Sequence, residues 1–194
     1  MLPIPDQVLV EITQVLDAQG IDYAIGGSVA AGFHGQPRST LDIDLIAWLT
    51  MAQAEALAAA VRGRFYVPET SMRAAVEARS CFNLIHLEYA YKVDIFVAGA
   101  RILDREERQR RIRLAPFRGS EQEIWVAAPE IVVLRKLDWF RRSEGSLARQ
   151  WPDVLGVLKV KSGQLDVAWM RSAAAELGLS DLLERALAKA DAAR

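Results

Sequence analysis

AIGGSVAAGFHGQPRSTLDIDLIA, residues 24–47, joins two apolar strands through a Gly-Gly-Ser turn and a short helix. Ile21–Ile25 reads as the first strand, and Gly26 and Gly27 end it. Glycine tolerates positive φ and lets backbone amides come close to an anion. Ser28 opens the helix 28–33, where its hydroxyl can cap the first turn and donate to a phosphate oxygen. The second strand, Leu41–Trp48, carries Asp42 and Asp44 at i and i+2. Side chains alternate along a strand, so both carboxylates face the same side. Two carboxylates held side by side repel, and a hard divalent cation is the usual reason to keep them.

Outward from this stretch, residues 5–19 carry Val8, Ile12, Val15 and Leu16 at helical spacing, and Gly20 stops the helix. Thr50 caps an Ala-rich helix over 51–62. FNLIHL and YKVDIFVA, within 82–97, form a hairpin around Glu88-Tyr89-Ala90. After Pro129 the pattern is helical over 130–142, about 147–160, 165–177 and 180–192. The expected class is therefore α+β: strands and helices in alternation over 1–127, then a mostly helical half over 128–194. Ala127-Ala128-Pro129 is too short to be a flexible linker.

Composition removes several classes. The chain of 194 residues is 52% apolar and 25% charged, as soluble globular proteins are. No stretch approaches the ~20 apolar residues of a membrane span. The first twenty residues do not resemble a signal peptide. Cys81 is the single cysteine, which excludes an intramolecular disulfide and a cysteine-based zinc cluster. A cytoplasmic protein with no membrane partner is expected. The net charge of −1 gives no global pull toward nucleic acid. Charge is uneven, however: 101–113 holds six arginines against three acids, and 135–149 five basic residues against two. Each stretch reads as a solvated face or as a surface for a polyanion, either a triphosphate or RNA.

The acids carry the chemistry. Asp42 and Asp44 offer oxygen ligands of the kind Mg2+ takes together with substrate phosphates. Asp94, inside the apolar run Val93–Phe96, needs a metal or a partner to offset its desolvation, and a third acid lets the site hold two ions. The competing reading is a salt bridge from Asp42 or Asp94 to an arginine such as Arg38. His34, between the turn and the acidic strand, is a candidate substrate contact. His86 reads as a strand histidine with a satisfied ring, and Cys81 as inert. The tryptophans at 125, 139, 151 and 169 read as packing groups, with Trp139-Phe140 as an alternative base-stacking platform.

Residues 21–48, with the Gly-Gly-Ser turn, Arg38-x-Thr40 and Asp42-x-Asp44, resemble the signature of the DNA polymerase β-like nucleotidyltransferase superfamily. Asp94 stands where that family's third acid is often found, one hairpin later. The resemblance implies a small mixed sheet with flanking helices and Mg2+-dependent transfer of an NMP from an NTP, with Mn2+ as an alternative ion. It also implies roles. Asp42, Asp44 and Asp94 are metal ligands and catalytic. Gly26, Gly27, Ser28 and Arg38 bind the nucleotide.

Residues 131–158 resemble the C-terminal region of AbiEii-type toxin-like nucleotidyltransferases, through Lys136 and Asp153. This implies a catalytic Lys136 that meets phosphate or nucleotide, with tRNA or another RNA as acceptor and an antitoxin protein as partner. Asp153 reads either as part of that motif or as a first-turn acid after Pro152. Two further readings remain: transfer to a small antibiotic-type molecule, and a non-catalytic nucleotide-binding protein of the same fold.

Overall fold

The computed structural model describes residues 4–143 and 150–192. The described chain runs α1 (Ile4–Ala18), β1 (Asp22–Ile25), α2 (Gly27–His34), β2 (Asp42–Trp48), α3 (Met51–Ala60), β3 (Phe65–Tyr66), α4 (Glu69–Ala78), β4 (Cys81–His86) and β5 (Lys92–Val97). It continues through α5 (Ile102–Arg110), β6 (Ile112–Leu114), β7 (Ile124–Val126), α6 (Pro129–Arg142), α7 (Gln150–Val160), α8 (Val167–Leu177) and α9 (Ser180–Asp191). The architecture is α+β with a mixed sheet, as the sequence predicts. No helix among the described residues is long and apolar enough to cross a membrane.

The chain divides into two compact units, 1–26 with 40–126 and 27–39 with 127–194. The sequence reading draws a single boundary at 127/128. In the structure α2 groups with the later helices, because it packs on α6 and α7.

The first unit holds the whole sheet, in the order β3-β4-β5-β2-β1-β7-β6. β2 runs antiparallel to β1 and parallel to β5, which pairs antiparallel with β4. One face carries Tyr23, Ile25, Ile43, Leu45, Val93, Ile95 and Leu84, all essentially inaccessible. Burying these side chains is the main force that holds the sheet, and α1 and α3 belong to the same unit. The alternation then forces Asp42, Asp44, Lys92 and Asp94 onto the opposite face, where each is half-buried. The Thr50 cap forms as expected: its hydroxyl accepts from Gln53 N, and the Gln53 side chain accepts from Thr50 N.

Sequence periodicity did not assign β3, α4, α5, β6 or β7. The strands among them have two or three residues and α5 is mostly charged (ILDREERQR), so no apolar period marks those; α4 does carry Met72, Ala75 and Val76 at helical spacing on its buried face.

The second unit is helical. Ile131, Val133, Leu134 and Leu137 of α6, Val154, Val157 and Leu158 of α7, Met170 of α8 and Leu183 of α9 are buried. α2 meets α7 at a glycine pair: a Cβ on Gly35 would stand 2.9 Å from both Gly156 C and Val157 N. Only glycine permits that approach of backbone to backbone. The helix expected from about 147 begins at Gln150 among the described residues; 147–149 lie outside them.

Candidate active site

Strand register builds the acidic face. β2 and β5 are parallel with Asp44 opposite Asp94 and Asp42 opposite Lys92. Opposite residues share a face, so the three aspartates and the lysine form one half-buried patch. The Lys92 Nζ lies 2.7 Å from Asp94 Oδ2 and 3.9 Å from Asp42 Oδ2. Its hydrogen bond to Asp94 outweighs partial desolvation and raises its pKa above the ordinary lysine value. Thr40 Oγ1 donates to Asp42 Oδ1 at 2.9 Å, and Tyr91 Oη donates to Thr40 O at 2.8 Å, so the loop before β2 orients the first aspartate. On the strand turn, Gly26 N donates to Asp44 O at 2.8 Å, and Gly27 has φ +55°, the positive value the sequence reading anticipates.

The donor set is hard oxygen alone on one sheet face, which suits a divalent cation such as Mg2+. Among the described residues, no three His, Cys, Asp or Glu side chains are grouped so that they could hold an ion as they stand. Lys92 supplies the compensating positive charge. Sequence reasoning proposed an arginine for that part and overlooked Lys92. The Lys-x-Asp spacing on an apolar strand was the available signal.

The second unit assembles a basic cluster. Arg38 Nε donates to Asp153 Oδ1 at 2.9 Å and its Nη2 to Asp153 Oδ2 at 3.0 Å. Arg38 also donates to the Ser28 hydroxyl. Lys136 Nζ stands 2.8 Å from Asp153 Oδ2 and donates to Gln150 Oε1 at 3.0 Å. Two cations meet one carboxylate, which leaves one excess positive charge beside Ser28. Burial pushes the Asp153 carboxyl up, but hydrogen bonds from Arg38 and Lys136 hold it below the usual carboxylate range. Lys136 is 5% exposed and so is not the surface lysine its Arg-rich helix would allow. Asp153 joins Ser28, Arg38 and Lys136, so it is more than a first-turn acid.

Other expectations change. His34 is buried, and its Nε2 lies 2.7 Å from Ala127 O, so a substrate contact is corrected to a structural hydrogen bond. Burial, only partly opposed by that bond, lowers its pKa. His86 Nε2 lies 3.0 Å from Glu11 Oε2, as a satisfied strand histidine should. Cys81 is exposed, but partial desolvation of its thiol, reinforced by the Asp94 and Asp44 carboxylates, pushes it up to about 11 and disfavours the thiolate. Trp139 is 51% exposed rather than a packing group. The arginine-rich stretch is largely engaged: Arg108 and Arg111 pair with Asp22, and Arg110 with Glu106. The guanidiniums of Arg111 and Arg113 stand 4.4 and 5.0 Å from the Trp125 ring centre.

No family model and no curated protein sequence matches the chain. Solved structures do. The chain is similar to an antigenic nucleotidyltransferase-like protein from Paracoccidioides brasiliensis, with TM-score 0.56, 18% identity, and 94% of this chain and 91% of that one covered. The fold is that of the nucleotidyltransferases. The solution structure of the antibiotic-resistance factor ANT(2'')-Ia aligns with TM-score 0.58 at 14% identity, covering 93% and 95% of the two chains. The lincosamide antibiotic adenylyltransferase LnuA, solved with lincomycin bound, aligns with TM-score 0.50 at 14% identity, covering 82% and 98%.

Proposed function

We propose that this protein is a divalent-metal-dependent nucleotidyltransferase that moves an NMP from an NTP to a hydroxyl of a small molecule. The observation that carries the reading is the β2–β5 register, which sets Asp44 beside Asp94 with Asp42 on the same face. Three carboxylates on one sheet face, partly neutralised by Lys92, are oxygen donors that a metal–polyphosphate substrate would use.

In this reaction the acceptor oxygen attacks the α-phosphorus, the bond to the bridging oxygen breaks, and pyrophosphate leaves. A Mg2+ or Mn2+ ion held by Asp42, Asp44 and Asp94 would neutralise charge on the attacking and leaving oxygens. Asp94 would take the proton of the acceptor hydroxyl. Gly26 and Gly27 supply backbone amides, and Ser28, Arg38 and Lys136 supply donors and charge, to the triphosphate. Asp153 is a positioning residue that holds Arg38 and Lys136 in their donor geometry. A cytoplasmic setting, where NTP is available, goes with this activity.

A small acceptor is favoured because Arg108, Arg110, Arg111 and Arg113 are occupied with acids or aromatic rings. Near-complete coverage of ANT(2'')-Ia, an antibiotic-resistance factor, supports the same choice. A second reading is an AbiEii-like toxin that acts on tRNA or another RNA and pairs with an antitoxin. Exposed Trp139 favours it, since it lies near Arg141 and Arg142 in sequence and an aromatic ring can stack a base.

The test is incubation with each α-labelled NTP and Mg2+, using aminoglycosides and lincosamides in one series and total bacterial RNA in another. Label on a small molecule, lost in Asp44→Asn, is the expected result. Label on RNA alone would select the second reading. No transfer and no pyrophosphate release with any acceptor would overturn the enzyme assignment.

A further inference from the structure

The Lys92 ammonium sits among the carboxylates proposed to bind metal, 2.7 Å from Asp94 Oδ2 and 3.9 Å from Asp42 Oδ2. We infer that Lys92 is an internal counter-cation that holds the acidic face closed to a divalent ion and is displaced from Asp94 when the ion binds. The inference rests on the metal-dependent reading and goes beyond it, because it assigns to a residue of this chain the control of metal entry.

The placement follows from the fold. Lys92 lies opposite Asp42 across the parallel pair and two residues before Asp94 on its own strand, so the register aims all three side chains at one patch. The lysine competes for the same oxygen atoms that a cation would use. An ammonium held against these oxygens draws on their negative charge and repels a second cation, so the carboxylates bind a divalent ion more weakly while Lys92 stays in place. The Lys92 side chain is 43% exposed, so it can swing into water on its flexible stem when displaced. The resting face is thereby relieved of part of its carboxylate repulsion, and an isolated ion binds only at the expense of the ion pair.

Two measurements on the full chain test this without turnover. Mn2+ titration followed by electron paramagnetic resonance should show Lys92→Met binding the ion about tenfold more tightly or better than wild type, since a unit positive charge at contact distance is removed. Lys92→Arg, which keeps the charge, should bind Mn2+ much as wild type does.

Amine labelling read by mass spectrometry should show Lys92 becoming more reactive when Mg2+ is added, with Lys159 and Lys189 as internal references. Equal Mn2+ affinity in wild type and Lys92→Met, or Lys92 labelling unchanged by a saturating ion, overturns the inference while leaving the metal reading in place. No Mn2+ bound by wild type, by Lys92→Met or by Lys92→Arg overturns both.

Discussion

Replacing Asp153 with asparagine removes the carboxylate shared by Arg38 and Lys136 while keeping the shape of the side chain. Breaking a buried ion pair from one side costs about 3–5 kcal/mol, because a charge is left buried without a partner. Arg38 is 36% exposed in its side chain and can turn to water, so it contributes little to the loss. Lys136 is the cation left stranded, at 6% side-chain exposure, with the Gln150 carbonyl at 3.0 Å as its remaining described acceptor. That acceptor offsets part of the penalty and brings the expected cost to about 2–3 kcal/mol.

With a urea dependence of about 2 kcal/mol per molar, the unfolding midpoint should fall by about 1 M at pH 7. Tryptophan fluorescence reports it, since Trp139, Trp151 and Trp169 belong to the same unit. The Lys136→Met background supplies the control. There the stranded charge is gone, and Asp153→Asn should cost less by about 1–3 kcal/mol of coupling.

The pH dependence has a definite sign. Asp153 has a lowered folded-state pKa, so its contribution is present above the ordinary carboxylate pKa. It is lost as pH falls through the lowered value, and the gap between wild type and variant should close in acid. An Asp153→Asn protein with the wild-type midpoint at pH 7, or an equal cost in the Lys136→Met background, would refute the account of this cluster.

Two further outcomes follow from the packing of α2 and from the surroundings of Cys81. Gly35→Ala puts a methyl group 2.9 Å from the Gly156 and Val157 backbone, and overpacking of this kind should cost about 1–3 kcal/mol in urea unfolding. An unchanged midpoint would show that α2 and α7 do not meet there. Iodoacetamide should alkylate the exposed Cys81 at a rate that keeps climbing toward pH 11, because partial desolvation and the Asp94 and Asp44 carboxylates push the thiol to about 11. A plateau near the ~8.5 of a free thiol would contradict that environment.

Much of the site was readable in one dimension because it is local. The Gly-Gly-Ser turn, the helix it opens and the Asp42-Asp44 pair are consecutive, and their geometry depends on torsions and strand alternation alone. Lys92 was legible only in part: its i, i+2 spacing to Asp94 lies in the sequence, but its place beside Asp42 depends on facing that residue across a strand pair. Asp153 remained open because its partner Arg38 lies 115 positions away. His34 looked available because it lies between the Gly-Gly-Ser turn and the acidic strand, while its burial comes from packing that this position does not reveal.

The sequence by itself determined the alternation that puts Asp42 and Asp44 on one side, the capped helix after Thr50, the helical run after Pro129 and the lack of any internal disulfide. Each is set by neighbours within a few residues, where period and side-chain chemistry leave few choices. The tertiary structure alone decided that Asp94 stands opposite Asp44, that Lys92 neutralises the acidic face, and that Asp153 gathers Ser28, Arg38 and Lys136. Those pairings follow from burying one apolar sheet face and from closing two helices over a glycine contact. Both are long-range packing choices that bring distant charges together only after the chain has folded.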